Sequence, residues 1–170
     1  MERGIILSVI GKKGGVGKST LATNISVGFA LENAEVAILD TDINQRTAAK
    51  WIDRRNNINK DGKNIKQINC YLQSESIKES ALELSKKYDV VIIDVAGRDS
   101  KALRQTMIAS DIIYTPVKPS QNDLETLGDM HDLFNETIDI NPNRKTFLIF
   151  NMSPTNKMIN ELQEAQQYIK

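Results

Sequence analysis

The residues with the most evident chemistry form one string: Gly11-Lys12-Lys13-Gly14-Gly15-Val16-Gly17-Lys18-Ser19-Thr20, which follows directly on an apolar run and opens a helical segment. Glycines lack Cβ, so the backbone can curl until successive N–H groups point inward at an anion. A helix that starts there adds its positive N-terminal end. Lys18 has the length to reach β- and γ-phosphate oxygens, and the Ser19 hydroxyl suits Mg²⁺. These residue types at this spacing support the holding of a nucleoside triphosphate. The contacts would come from Gly14, Gly15, Val16, Gly17, Lys18, Ser19 and Thr20.

Two further places carry acids where such a site needs them. Asp89-Val90-Val91-Ile92-Ile93-Asp94 is four apolar residues followed by a carboxylate, about 75 residues after the glycine-rich string. An acid emerging there can hold Mg²⁺ through water beside Ser19. Asp40-Thr41-Asp42-Ile43-Asn44-Gln45 ends another apolar run. Ligands of open α/β sheets bind at the carboxyl ends of the strands, so Asp40 and Asp42 should face the same site. Either Asp42 or Asn44 would equally serve as the cap of the next helix.

The elements that must position these groups are legible as a pattern. Short apolar runs at Ile5–Ile10, Val36–Leu39, Ile68–Leu72, Val90–Ile93, Ile112–Val117 and Thr146–Phe150 read as strands. Most are continuous rather than alternating, the mark of strands covered on both faces. Between them lie helix candidates at Ser19–Asn33, Gln45–Asn56, Ser76–Tyr88, Lys101–Ala109, Asn122–Thr137 and Asn156–Ile169. Ile77, Ala81, Leu84 and Tyr88 fall on one helical stripe, and Asn122 with Glu125 is spaced as a capping box. Alternation of this kind predicts an α/β fold: one mostly parallel sheet with helices on both faces. The Asn57–Lys66 segment, rich in Asn, Lys and Gly, is the one clear long loop.

The glycine-rich string departs from the usual P-loop, because Lys12 stands where the opening glycine belongs and Lys13 follows it. This resembles the deviant Walker A pattern of the ParA and MinD ATPases, and the chain is most similar to the small plasmid-partition ParA proteins. The likeness runs from the first strand to about Asn151, with three motifs in order. It implies a P-loop NTPase fold, ATP and Mg²⁺ as ligands, and weak, partner-stimulated hydrolysis of ATP to ADP and phosphate. It also implies that Lys13 crosses an ATP-bound homodimer to touch the partner's nucleotide. By position, Asp42 would orient the attacking water, Lys13 and Lys18 would neutralise charge on the transferring phosphoryl, and Asp40 would support the Mg²⁺ shell of Ser19 and Asp94. Ile43-Asn44 replaces the family's proline here. Val95-Ala96-Gly97-Arg98-Asp99-Ser100 resembles the family's second switch, with Gly97 admitting the backbone to a γ-phosphate. Pro116-Val117-Lys118-Pro119-Ser120-Gln121-Asn122-Asp123 is similar to its proline-containing stretch, and Asn151 matches the adenine-recognition position.

The same resemblance implies a cytoplasmic protein that coats nonspecific DNA, and so the nucleoid, in its ATP state. A centromere-bound ParB-like partner would release it. The alternatives are a MinD-like membrane organiser or another switch governing positioning or conjugation. The first would need a basic amphipathic last helix, whereas Asn156–Lys170 has only Lys157 and Lys170 as cations. An iron–sulfur carrier would need more than the single Cys70.

Composition sets the outer bounds. One hundred and seventy residues suit a single domain with a real core. Members of the resembled family usually continue past the Lys170 position with more sheet and helix, so this is a compact member or a shortened chain. The longest apolar run, Val90–Ile93, is too short to cross a bilayer, and the Met1–Gly4 start reads as no signal peptide. A lone cysteine fits a reducing compartment. The 22 basic and 22 acidic residues cancel, yet Asn44–Lys66 has a local net of +5 and Gln121–Asn143 one of −6. Nucleic-acid affinity would therefore have to come from a local patch, for which Asn44–Lys66 is the candidate. His131, Trp51 and Cys70 are read as packing residues, with His131 at a core edge beside Leu124, Leu127 and Phe134.

Overall fold

All six apolar runs become strands: β1 (Ile5–Val9), β2 (Val36–Asp40), β3 (Asn69–Leu72), β4 (Val90–Asp94), β5 (Ile112–Val117) and β6 (Lys145–Phe150). The computed structural model describes residues 3–58, 65–97, 100–156 and 160–169, without the side chain of Ser100. Lys60 and Lys63 of the basic segment, Arg98, Asp99, Lys157 and Lys170 lie outside the described residues. The strands form one parallel sheet in the order β3-β2-β4-β1-β5-β6.

Helices α1 (Lys18–Leu31) and α2 (Thr47–Asn57) cover one face of the sheet. Helices α3 (Ile77–Ser85), α4 (Ser100–Ala109) and α6 (Thr126–Ile138) cover the other, while α5 (Gln121–Leu124) and α7 (Glu161–Tyr168) pack on the ends of β5 and β6. The continuous apolar runs explain this. Leu7, Val9, Val90 and Ile92 point to the α1–α2 side, and Ile6, Val91 and Ile93 to the other. Strands buried on both faces need apolar residues at both parities.

The strand order sets the site. From β1 the chain crosses over β4 to β2, and from β4 it crosses over β1 to β5. Adjacent β1 and β4 thus send their connections in opposite directions, which opens a crevice at their carboxyl ends. Register then places Val9, Asp94 and Asp40 level across β1, β4 and β2.

Helix α1 buries Ala22, Thr23, Ser26 and Ala30 rather than large side chains, so it lies close to the sheet. The hydroxyls of Thr23 and Ser26 are satisfied by carbonyls one turn back, on Ser19 and Thr20 and on Ala22. Asn33 (φ 64) ends it in the left-handed region, and the Ala34 N–H returns to the Phe29 carbonyl.

Three local expectations are corrected. The segment Asn122–Thr137 is two helices, and the first begins at Ser120, two residues before the expected Asn122 cap. The Ser120 hydroxyl donates to the Asp123 carboxylate, so the polar pairing at this start is Ser120–Asp123 rather than Asn122–Glu125. The core stripe of α6 falls on Met130, Leu133 and Thr137, which leaves His131 exposed. Trp51 is 37 % exposed, its neighbour Ile52 taking the core position. Cys70 does pack against the α1–α2 core, where burial pushes its thiol up to about 12 and keeps it neutral.

Two glycines test how tightly this frame is packed. A Cβ on Gly4, at the entry to β1, would lie 2.0 Å from the Tyr88 carbonyl oxygen and 2.6 Å from that of Asp89. Gly28 in α1 meets nothing within 4 Å. Gly4→Ala is expected to lower unfolding free energy by about 1–3 kcal/mol, because backbone cannot yield as a side chain does. Gly28→Ala should raise it by roughly 0.5–1 kcal/mol. Urea midpoints of the two variants check both signs.

Candidate active site

The loop between β1 and α1 turns on its glycines. Gly15 (φ 70) and Gly17 (φ 91) occupy the left-handed region, where a side chain would strain the backbone. A Cβ on Gly14 or Gly15 would meet nothing within 4 Å and would project into open space. That space is a cleft of about 600 Å³ lined by Gly14, Gly15, Gly17, Lys18, Ser19, Thr20, Asp42 and Asp94, among others. One strand end, one helix start and two acidic strand ends therefore converge, as their spacing led us to expect.

The charged groups in the cleft depend on one another. Asp94 is 4 % exposed, and burial pushes its carboxyl up to about 7, although the Ser19 hydroxyl that hydrogen-bonds to it and the Lys18 charge both pull it down. Burial likewise lowers Lys18, against the pull of Asp94 and Asp42. The Lys18 ammonium donates to the Lys13 carbonyl at 2.7 Å and so curls back under its own loop. A buried acid raised this far and a desolvated ammonium beside an anion-shaped loop are the donor set for a phosphate chain with its divalent cation.

Asp40 and Asp42 divide the work differently from expectation. Asp40 is fully buried and does not line the cleft. Its Oδ1 accepts the Asp42 N–H at 3.0 Å and its Oδ2 accepts the Ala49 N–H at 3.1 Å. Asp40 is thus a brace: it fixes the turn that carries Asp42 and satisfies the first turn of α2. Asp42 lines the cleft, and its Oδ1 accepts the Gln45 N–H at 2.9 Å. It therefore combines the turn role with an aim at the site. Arg46 takes φ 54 to enter α2, the turn that Ile43-Asn44 produces in place of a proline.

Two residues fix the loop after β4, one against the P-loop and one against the end of β2, and the motifs flagged only the first. A Cβ on Gly97 would lie 2.7 Å from the Gly11 carbonyl oxygen and 2.9 Å from the Lys18 ammonium, so glycine is required for close approach. Thr41, between the two aspartates, was missed. Its backbone N–H donates to the Asp94 carbonyl and its hydroxyl accepts the Ala96 N–H at 2.9 Å. The signal was available: a hydroxyl between two acids at a buried strand end has little else to do than bind backbone.

Asn151 is placed against the P-loop rather than in the cleft lining. Its side-chain amide donates to the Val16 carbonyl at 2.8 Å, and a Cβ on Gly17 would sit 2.3 Å from the same nitrogen. The amide braces the loop through this bond. Lys13 also stays out of its own cleft: its ammonium donates to the Asn122 carbonyl at 3.2 Å. Lys12, at the position where the usual motif has glycine, pairs with Asp129 on α6 at 2.9 Å.

Matches to known proteins agree with this geometry. The family described as ATPase MipZ matches residues 5–143. The chain is 27 % identical over 165 residues to maintenance of carboxysome distribution protein A of Halothiobacillus neapolitanus, covering 95 % of this chain and 73 % of that one. It is 28 % identical over 127 residues to protein ParA of Rhizobium radiobacter, covering 72 % and 52 %. In three dimensions it is similar to a plasmid partition protein of Borrelia burgdorferi bound to AMPPNP, with a TM-score of 0.68 at 20 % identity, over 98 % of this chain and 81 % of that one. With the P-loop, the two acidic strand ends and the sheet order in place, the chain belongs to the MipZ family of ATPases, within the ParA/MinD type that carries the deviant Walker A loop.

Proposed function

We propose that this chain is an ATP-dependent DNA-partition ATPase, which binds ATP and Mg²⁺, closes into a homodimer around two nucleotides, and hydrolyses ATP to ADP and phosphate. The observation that carries this reading is the opposite behaviour of the two P-loop lysines. Lys18 folds into its own cleft, while Lys13 rests outside it on the Asn122 carbonyl of α5, which supports a role for Lys13 beyond its own nucleotide.

The residues take their roles from the geometry. The N–H groups of Gly14 to Thr20 and the start of α1 bind phosphate oxygens. Lys18 exchanges the Lys13 carbonyl for phosphate, a change that its desolvation favours. Ser19 and Asp94 would hold Mg²⁺, Asp94 through water, and the bound ion neutralises charge on the phosphate chain. Asp42, kept in place by Asp40, would orient the attacking water. Lys13 would reach the partner's nucleotide and stabilise charge on the transferring group, as an arginine finger does.

DNA and a ParB-like partner enter by analogy with the relatives named for partition. The surface offered for DNA is the outer side of α2, where Arg46, Lys50 and Arg54 are exposed beside Trp51. Arg55 and Lys66 of the same segment are drawn inward instead, Arg55 onto the Lys66 carbonyl and Lys66 onto Glu35 and the Asn33 carbonyl. A second reading, an ATPase that positions some other cargo, is favoured by the match to a carboxysome-distribution protein over 95 % of the chain. A lipid-bound version has less support: α7 places Glu161 and Glu164 in its first turn, and no helix among the described residues is long and apolar enough to cross a membrane. The proposed location is cytoplasmic, on the nucleoid in the ATP state.

Lys18→Ala is expected to abolish ATP binding, whereas Lys13→Ala should bind nucleotide and lose ATP-dependent dimerisation. Equilibrium titration and gel filtration separate the two, and normal dimers of the Lys13 variant would refute action in trans. For the DNA reading, the ATPase rate should rise with nonspecific DNA and rise further with a centromere-binding partner. DNA binding itself should require ATP and fall steeply between roughly 50 and 200 mM salt. ATP-independent or salt-insensitive binding would favour the second reading.

A further inference from the structure

Among the described residues, three buried side-chain polar atoms have no hydrogen-bond partner: Thr106 Oγ1, Thr115 Oγ1 and Asp123 Oδ1. Thr115 and Asp123 line the same small cavity, enclosed by Gly11, Lys12, Lys13 and Val16 of the P-loop on one side and by the β5 end and α5–α6 on the other. Both residues are more than nine-tenths buried, with 4 % and 6 % of their surface exposed. A buried carboxylate oxygen and hydroxyl left unpaired would each cost far more than a made hydrogen bond returns.

The cavity measures about 10 Å³, close to the ~10–15 Å³ that one water molecule requires. The neighbouring polar groups are spent elsewhere. The second Asp123 oxygen accepts the Ser120 hydroxyl, and the Thr126 hydroxyl donates to the Asp123 carbonyl. One hydroxyl and one carboxylate oxygen match a water: the Thr115 O–H donates to it, and it donates to Asp123 Oδ1. They fall well short of the six or more oxygens of a hard divalent cation site.

We propose that this cavity is a specific hydration site, where one water bridges Thr115 and Asp123 and so ties α5 to β5 beside the front half of the P-loop. The lysines straddle it, Lys13 on the carbonyl of Asn122, the residue before Asp123, and Lys12 on Asp129 of α6. Thr115 and Asp123 are therefore positioning residues, which hold α5, the element that Lys13 rests on, against β5. Only the nucleotide readout of the test below rests on the proposed function.

The test compares the wild type with Thr115→Val, which keeps the shape and removes the hydroxyl, and with Thr115→Ser, which restores it. High-resolution crystal structures should show one density peak within hydrogen-bonding distance of Thr115 Oγ1 and Asp123 Oδ1 in the wild type, lost in the valine variant. Titration with a fluorescent ATP analogue should show affinity weakened about tenfold by valine and within about twofold of wild type for serine. A direct Thr115–Asp123 hydrogen bond, or a lysine ammonium in the cavity of the wild type, would overturn the proposal. So would nucleotide affinity that valine leaves unchanged, or that changes when Na⁺ replaces K⁺, which would mark a cation site. A wild type that binds no nucleotide would sink the proposed function, and the crystal structures alone would then decide the hydration site.

Discussion

A carboxylate taken almost wholly out of water must find a cation or give up its charge, and the site is arranged around that constraint at Asp94. Burial raises it to about 7, with Ser19 and Lys18 as its compensating neighbours. Lys18 suffers the same desolvation in the opposite sense. Burial thus disfavours the charged form of both groups, and their mutual attraction offsets part of that cost. The parallel sheet makes this possible, because register sets Asp94 level with Val9, where the P-loop begins, and with Asp40, where the second acidic turn begins.

Around that centre, several polar groups brace the backbone. Asp40 holds the turn of Asp42 and the start of α2, Thr41 ties β2 to the loop after β4, and Asn151 holds the P-loop from the side of β6. Gly97 lets that loop touch Gly11 and Lys18 without a side chain between.

Charge neutrality of the whole chain conceals a division of labour. Acidic residues on α6 hold cations of the chain itself, Asp129 with Lys12 and Glu136 with Arg104. On the opposite side, the basic segment gives up Arg55 and Lys66 to internal contacts and keeps Arg46, Lys50 and Arg54 at the surface. Exposed ion pairs of this sort are worth little individually. Their effect is to decide which charges remain available to a partner.

The sequence by itself determined the sheet, the P-loop and the acidic strand ends. Continuous apolar runs, glycines at positions needing positive φ, and an acid closing a strand are local signals whose physical causes act over a few residues. Only the tertiary structure decided what each polar group does with its lone pairs. Asp40 and Asp42 are two residues apart and chemically identical, yet one is sealed beneath the other because the strand ends at Asp40 and the chain turns there toward α2. The cap of α5 at Ser120 and the exposure of His131 are decided by how α5 and α6 pack on the sheet, since the pattern of residues there fits more than one phase of the helix. Hydrogen-bond partners are chosen by proximity across 50 to 135 positions of chain, as Thr41 with Ala96 and Asn151 with Val16 show. No periodicity along the sequence encodes that.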